Sequence, residues 1–157
     1  MTSTHSYAVT VEWTGNLGPG TTGYRAFSRD HEVLADGVQP IAGSSDPAFR
    51  GDPARWNPEQ LLLASVSQCH LLWYLHLCAV AGVVVTSYED HAVGELAMDE
   101  SGGGGQFSGV TLRPEVTVAD ASMVERARAL HGEVHAVCFI ARSVSFPIAH
   151  EPVVTVG

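Results

Sequence analysis

Two cysteines stand where a pair of thiols can do redox chemistry. Cys69 lies inside a long apolar segment that begins Asn57-Pro58-Glu59-Gln60, and Cys138 lies near the end of a second helical pattern. A lone cysteine in a core helix usually serves as a small hydrophobic residue. A second cysteine at a helix end, with a carboxylate and arginines elsewhere in the chain, indicates instead a pair of thiols that react.

The third cysteine, Cys78, is an unsuitable disulfide partner for Cys69. It lies nine residues further along the same predicted helix, which rotates it by about 180° and moves it about 13.5 Å along the axis. A disulfide needs Cα atoms within about 7 Å of each other. Cys138 is therefore the only partner left for Cys69 within one chain, and we expect Cys78 to be a core residue.

The two remaining thiols are expected to differ in reactivity. Cys69 lies in mid-helix among apolar neighbours, so burial disfavours its thiolate unless a cation lies close by. Arginine suits this role because it keeps its charge, and the candidates are Arg25 and Arg29. Glu59 is the natural carboxylate for a buried arginine. Cys138 lies near a helix C-terminus, where the dipole opposes a thiolate. It is therefore better suited to remain protonated and to form the disulfide after Cys69 has reacted.

Helix geometry separates Glu59 from Cys69. Ten residues of regular helix place them about 15 Å apart along the axis, too far to share a site within one straight helix. Either the helix breaks between them, or Glu59 serves the Cys69 of another subunit. Because no proline or glycine lies between them, we favour the second alternative, which predicts a homodimer with active sites at its interface.

Composition excludes several classes of protein. The 157 residues include eight arginines, no lysine and a net charge of −9, whereas nucleic acids and anionic membranes require clustered basic residues. The N-terminus has no leader-like region, and the apolar run 71–85 falls short of the roughly 20 residues of a membrane span. Three cysteines do not make a disulfide framework. We therefore expect a cytoplasmic protein with one domain, 1–157.

The pattern of apolar residues predicts an α+β fold. Strands are expected at Tyr7–Trp13 and Tyr24–Leu34, joined as a hairpin through Gly15–Gly23 and followed by an ordered loop at Ala42–Trp56. The order predicts antiparallel sheets around a long, buried central helix. The other expected elements are a helix from the Asn57 cap to Ala81, strands from Val83, at Ser87–Met98, Phe107–Ala119 and Phe146–Val156, and a second helix capped by Asp120 or Ser122.

These residues resemble the osmotically inducible protein C (OsmC) and organic hydroperoxide resistance (Ohr) family of thiol peroxidases. The resemblance rests on the Asn57-Pro58-Glu59-Gln60-Leu61-Leu62 motif with Cys69 in register, on Cys138, and on the upstream Thr22-Gly23-Tyr24-Arg25. The predicted order of elements agrees over most of the chain. Phe139 stands where the family often has proline, so the chain is identified as a divergent member.

The resemblance implies an intertwined homodimer that reduces organic hydroperoxides without a bound cofactor. Cys69 would be the peroxidatic thiolate, oxidised to sulfenic acid, and Cys138 would resolve it as a disulfide. Arg25, with Arg29 as the alternative, would stabilise the thiolate, and Glu59 would orient the arginine. A dithiol reductant, such as the lipoylated protein used by the Ohr branch, would recycle the enzyme. The candidates for an apolar substrate wall are Leu72, Trp73 and Phe139.

Other interpretations remain open at this level. A thiol hydrolase is disfavoured because His76 lies about 10 Å along the helix axis from Cys69. A protein that keeps the family fold as a redox sensor or ligand binder is the non-enzyme alternative. We expect His70 and His76 to line the core or a pocket. The third alternative is a zinc site, for which the candidate ligands are Cys69, His76, His131, His135 and Cys138.

Overall fold

The computed structural model describes residues 3–157, which divide into two compact units. The first unit ends at Leu61 and the second spans Leu62–Gly157. The boundary falls inside α1 (Pro58–Val80), a helix that runs through it without interruption. The single domain expected over 1–157 stays a prediction.

A three-stranded antiparallel sheet forms most of the first unit. Its strands, in spatial order, are β1 (Thr10–Trp13), β2 (His31–Leu34) and β3 (Ile41–Gly43). The antiparallel pairing of β1 with β2 confirms the expected hairpin, but the strand predicted at Tyr24–Leu34 is much shorter. Arg29 accounts for the difference because its guanidinium donates hydrogen bonds to the carbonyl oxygens of Tyr24 and Phe27, which fold this segment into a turn.

The segment Ala42–Trp56 is an ordered loop, as predicted, apart from β3 and a 3₁₀ turn at Pro47–Phe49. Arg55 ties the loop to β2. Its Nη1 donates to Glu32 Oε1 at 3.0 Å and to the carbonyl oxygen of His31 at 3.2 Å. The loop is thus fixed by a charge-assisted contact to the sheet.

Helix α1 begins with a reciprocal pair of hydrogen bonds. The side-chain oxygen of Asn57 accepts from the N–H of Gln60 at 2.8 Å, and the side-chain oxygen of Gln60 accepts from the N–H of Asn57 at 3.1 Å. This is a capping box. The helix ends before Gly82, which has the left-handed φ of 71° typical of such ends. Both predicted ends are confirmed, and the helix between Glu59 and Cys69 is unbroken.

Two three-stranded sheets lie in the second unit, in the orders β5-β6-β8 and β4-β7-β9. Each of the three predicted long strands is divided between the two sheets. The points at which the three predicted strands break are neighbours in the structure. Asp90 accepts a hydrogen bond from the N–H of Arg113 at 2.7 Å, and the Arg113 side chain pairs with Glu151 at 3.3 Å. The strands are β4 (Val85–Asp90), β5 (Val93–Met98), β6 (Gly105–Leu112), β7 (Pro114–Val118), β8 (Ile148–His150) and β9 (Val153–Val156).

Both of these sheets contain a parallel pair, whereas purely antiparallel sheets were expected. β8 pairs with β6 and β9 pairs with β7 in parallel. Parallel neighbours need a long crossover, and α2 (Val124–Val134) with the turns after it provides that crossover. Asp120 accepts from the N–H of Ser122 at 2.8 Å just before α2, which agrees with the predicted cap. The α+β class is confirmed, with mixed sheets.

Within the single chain only one stripe of α1 is buried, so the helix is not enclosed on all sides as predicted. Leu72 and Val80 are 66% and 74% exposed. By length and composition α1 is also apolar enough to cross a membrane, a test that the core helix of a soluble protein passes equally. The buried stripe consists of Val66, His70, Tyr74 and Cys78.

Candidate active site

The two predicted redox cysteines lie side by side in the second unit. Cys69, half-buried on α1, packs against the hydrophobic cluster that contains the buried Cys138. Cys69 is close enough to raise the pKa of the Cys138 thiol, and both cysteines are free. A disulfide requires this kind of proximity, so the arrangement can carry out dithiol–disulfide chemistry.

Cys138 was predicted near the end of the second helix. In the structure it lies four residues after Val134, the last residue of α2. Its Sγ accepts a hydrogen bond from the N–H of Ala141 at 3.3 Å. The pKa of the Cys138 thiol is raised to about 11, mainly by burial and also by the neighbouring Cys69, while the N–H of Ala141 acts in the opposite direction. Burial, rather than the helix dipole, is therefore what keeps this cysteine protonated.

Cys78 is a core residue, as expected. It is 1% exposed, and burial raises the pKa of its thiol. Tyr74, one turn before it, donates a hydrogen bond from its hydroxyl to the carbonyl oxygen of Ala127 at 3.1 Å. This contact anchors the buried stripe of α1 to α2, away from the Cys69 thiol.

Aromatic side chains flank the thiol pair. Trp73, one turn after Cys69 on α1, meets the ring of Phe139 edge to face, with centroids 5.5 Å apart. Phe139 is 65% exposed, as is Leu72 at 66%. All three candidates for a substrate wall therefore lie on the two segments that carry the cysteines, and two of them touch.

The charged residues predicted to act on Cys69, which are Arg25, Arg29 and Glu59, belong to the first unit. The guanidinium of Arg29 lies over the rings of Tyr24 and Phe27, at 4.5 and 4.2 Å from their centroids, and is hydrogen-bonded in its own loop. Within residues 3–157, Arg25 is exposed and makes no hydrogen bond or ion pair, and the buried Oε2 of Glu59 has no hydrogen-bond partner. Arg25 and Glu59 are thus available and not paired with each other.

A cluster of histidines beside Cys138 was not predicted as a unit. His70 Nε2 and His131 Nδ1 are 2.9 Å apart and share a hydrogen bond. The ring of His150 lies 6.1 Å from that of His70 and 6.3 Å from that of His131. Burial, with an added effect of the neighbouring histidines, lowers the pKa of His70 to about 4 and that of His131 to about 3. Both imidazoles are therefore neutral at neutral pH.

The zinc interpretation finds no support in the part of the chain that is described. Among residues 3–157, no group of three His, Cys, Asp or Glu side chains is arranged to hold a metal ion. His76, one of the candidate ligands, is exposed and meets the edge of Trp73 instead. Nδ1 of His131, another candidate ligand, is hydrogen-bonded to His70 Nε2.

The sequence model of the OsmC-like protein family matches residues 51–152, and the chain belongs to that family. An OsmC-like protein of unknown function from Vibrio cholerae is 29% identical with a TM-score of 0.84, covering 96% of this chain and 100% of that one. Comparison with curated proteins gives no significant match.

Two further solved structures share the fold at lower identity. An organic hydroperoxide resistance protein OsmC from Legionella pneumophila, described as a predicted redox protein, is 17% identical with a TM-score of 0.68, covering 99% of both chains. The organic hydroperoxide resistance protein OhrB of Bacillus subtilis is 22% identical with a TM-score of 0.62, covering 96% of this chain and 98% of that one.

The two buried histidines predict that acid destabilises the protein. An unfolded histidine has a pKa near 6.5, whereas in the folded protein the pKa of His70 is about 4 and that of His131 is about 3. Below about pH 6.5 the unfolded chain therefore binds more protons than the folded one. We expect the free energy of unfolding, measured by urea titration, to fall as the pH decreases from about 7 to about 5.

His76→Gln is the matched control, because it removes an exposed histidine from the same helix and should leave this pH dependence unchanged. His70→Gln should lower the free energy of unfolding and also flatten its dependence on pH. A free energy of unfolding that stays constant over this pH range in the unmodified protein would contradict the prediction.

Proposed function

We propose that the protein is a cytoplasmic thiol peroxidase that reduces organic hydroperoxides with Cys69 and Cys138. The observation that carries the proposal is the packing of the free Cys69 against the cluster that contains the free Cys138 in a member of the OsmC-like family. Two structures with the same fold are named as organic hydroperoxide resistance proteins. Their names support the reaction class.

In the first step the Cys69 thiolate attacks the terminal oxygen of the hydroperoxide. The O–O bond breaks, the sulfur becomes a sulfenic acid, and the departing alkoxide takes up a proton to give the alcohol. Cys69 suits this role because it is half-buried, whereas Cys138 is buried and its pKa is raised to about 11. The more accessible sulfur reacts with peroxide, and the protonated one is held back.

In the second step Cys138 attacks the sulfenic sulfur of Cys69. An S–S bond forms, the S–O bond breaks, and water leaves. A dithiol reductant then returns two electrons and two protons to the pair, and a lipoylated protein is the class of donor that the family resemblance indicates. The position of Cys69 against the cluster that contains Cys138 supports this step.

Arg25 is proposed as the arginine that stabilises the Cys69 thiolate, and Glu59 as the carboxylate that orients it. Arg25 occupies the arginine position of the Thr22-Gly23-Tyr24-Arg25 motif. The guanidinium of Arg29 is engaged by two carbonyl oxygens and two aromatic rings of its own loop. A second role for Arg29 at a thiolate would require it to give up these contacts.

The apolar surface beside the thiols supports an alkyl hydroperoxide as the substrate. Trp73 and Phe139 form an edge-to-face pair, and Leu72 lies exposed on the same helix. Apolar side chains favour an apolar substituent by removing its surface from water. Hydrogen peroxide has no such substituent and gains nothing from this wall.

We further propose that the working form is a homodimer in which Glu59 of one copy serves Cys69 of the other. The unbroken helix keeps these residues of one chain on separate turns. A buried carboxylate oxygen without a partner is costly, and Glu59 Oε2 has none within residues 3–157. Exposed apolar side chains on α1, such as Leu72 and Val80, are surface that a second copy can cover.

The function is tested by replacing each cysteine. Cys69→Ser should abolish consumption of cumene hydroperoxide, because it removes the attacking sulfur. Cys138→Ser should allow a single turnover and then hold Cys69 as sulfenic acid, which thiol titration and mass mapping detect. Cys78→Ser is the control and should keep the rate of the unmodified protein.

Full activity of Cys69→Ser would overturn the proposal. Disulfide formation without turnover in the presence of a dithiol would indicate a redox sensor instead.

The two arginines provide a matched pair of variants. Arg25→Gln should slow the oxidation of Cys69 by about 10-fold to 1000-fold, because an adjacent cation favours the thiolate by one to three pKa units. Arg29→Gln should change this rate much less and should instead lower the free energy of unfolding. Stopped-flow measurement of the first turnover gives the oxidation rate of Cys69 in each variant. A larger loss of rate in Arg29→Gln than in Arg25→Gln would assign the role to Arg29.

Shared sites predict that two inactive variants restore activity when they form mixed dimers. A dimer of one Glu59→Gln chain and one Cys69→Ser chain contains one site with both residues intact and one with neither. Random mixing in a twofold dimer should therefore give about a quarter of the activity of the unmodified protein. Refolding the variants together and measuring peroxide consumption tests this, and each variant refolded alone is the control. Absence of any gain would place both residues of a site in one chain.

A further inference from the structure

Phe139 is an exposed aromatic residue beside the thiols, and the steps above give it no role beyond a general apolar contact. Its side chain is 65% exposed, whereas phenylalanine is among the residues most often buried. The backbone that carries it is fixed, because its carbonyl oxygen accepts a hydrogen bond from the Ser143 hydroxyl at 2.7 Å. Since Phe139 directly follows Cys138, its ring is held on the segment that carries the resolving sulfur.

Trp73 places a second aromatic ring against Phe139. It follows Cys69 by one turn of α1, and its ring contacts those of Phe139 and His76. The centroid distance is 5.5 Å in both pairs, and the rings are inclined by 81° and 89°. Both contacts have the edge-to-face geometry that aromatic pairs prefer. We call these three residues the aromatic cluster, and it joins the two segments that carry the reacting cysteines.

We propose that the aromatic cluster binds an aromatic ring of the substrate, so that the enzyme prefers organic hydroperoxides with an aryl substituent to those with a saturated substituent of the same size. The inference rests on the peroxidase function proposed above and narrows its substrate class. Phe139, with its ring exposed to solvent, contacts the ring of the substrate. Trp73 is a positioning residue that orients Phe139.

Burial of apolar surface alone does not distinguish an aryl from a saturated substituent. A phenyl and a cyclohexyl group are similar in size, so a contact removes a similar apolar area from water in both cases. Two aromatic rings also attract each other through the negative face of one and the positive edge of the other, which increases affinity by about twofold to tenfold beyond the effect of area. A cyclohexyl group has no such charge distribution and gains nothing from the rings.

The aromatic cluster is suited to this contact because its rings are already oriented. Aromatic side chains have only two rotatable bonds, so a contact to them costs little conformational entropy. Trp73 is half-buried and packs against the core that contains Cys138, which limits its movement further.

The position of the aromatic cluster also suits the length of such a substrate. Trp73 and Cys69 are separated by one turn of α1, which is about 5.4 Å along the helix axis. In cumene hydroperoxide a single carbon atom separates the phenyl ring from the peroxide. A ring held at the cluster therefore keeps the peroxide close to the sulfur that attacks it.

The test compares cumene hydroperoxide with its cyclohexyl analogue, in which the phenyl ring is saturated. Stopped-flow measurement of Cys69 oxidation gives a second-order rate constant for each peroxide. The ratio of the two constants is divided by the ratio measured with a small thiol in solution, which removes the intrinsic difference in reactivity between the peroxides. After this correction, we expect the unmodified protein to favour cumene hydroperoxide by about twofold to tenfold.

Phe139→Leu should abolish this preference, because leucine keeps an apolar side chain and removes the ring, while its rate with the cyclohexyl analogue should change little. Phe139→Tyr keeps the ring and should retain the preference. Leu72→Ala is the matched control, because Leu72 is exposed to the same extent, at 66%, but has no ring. It should change both rates in the same proportion and leave their ratio unaltered.

Two results would overturn the inference alone. One is a corrected ratio near one in the unmodified protein, and the other is an unaltered ratio in Phe139→Leu. If Phe139→Leu loses both rates in equal proportion, its ratio is unaltered, and Phe139 then serves packing and not recognition of an aromatic ring. Failure of both peroxides to oxidise Cys69 in the unmodified protein would overturn the proposed function as well.

Discussion

Burial of one stripe of α1 is the constraint on which the thiol pair depends. Tyr74 and His70 fix this stripe to α2 through hydrogen bonds to Ala127 and His131. Because a helix repeats every 3.6 residues, fixing the stripe turns Cys69 to its margin, where it meets Cys138. Packing of neighbouring residues, rather than a strong bond to Cys69 itself, therefore places the sulfur that we propose reacts first.

The same burial separates the chemical roles within the second unit. Removal from water raises the pKa of the Cys138 thiol and lowers those of His70 and His131, because each group is driven to its neutral form. The interior thus holds neutral donors and acceptors and no formal charge. Cys69 lies at the margin of this interior and is half-buried.

Features that depend on residues close together in the sequence could be predicted, whereas features that depend on contacts between distant segments could not. The Asn57 cap and the end of α1 near Ala81 were predictable because capping uses residues within one turn. The division of the strands was missed because it requires Asp90, Arg113 and Glu151 to meet across three segments.

The histidine cluster was missed for the same reason, since its members lie on α1, α2 and β8. The pairing of Cys69 with Cys138 could be predicted because elimination by helix geometry and the family resemblance both pointed to it.

The exposed apolar face of α1 is not covered within the single chain. Each large apolar side chain moved out of water contributes about 1.5–3 kcal/mol, and the unpaired Glu59 oxygen would gain a donor in the same event. An all-round apolar sequence is therefore consistent with the dimer that we propose, in which a second copy would cover this face of the helix.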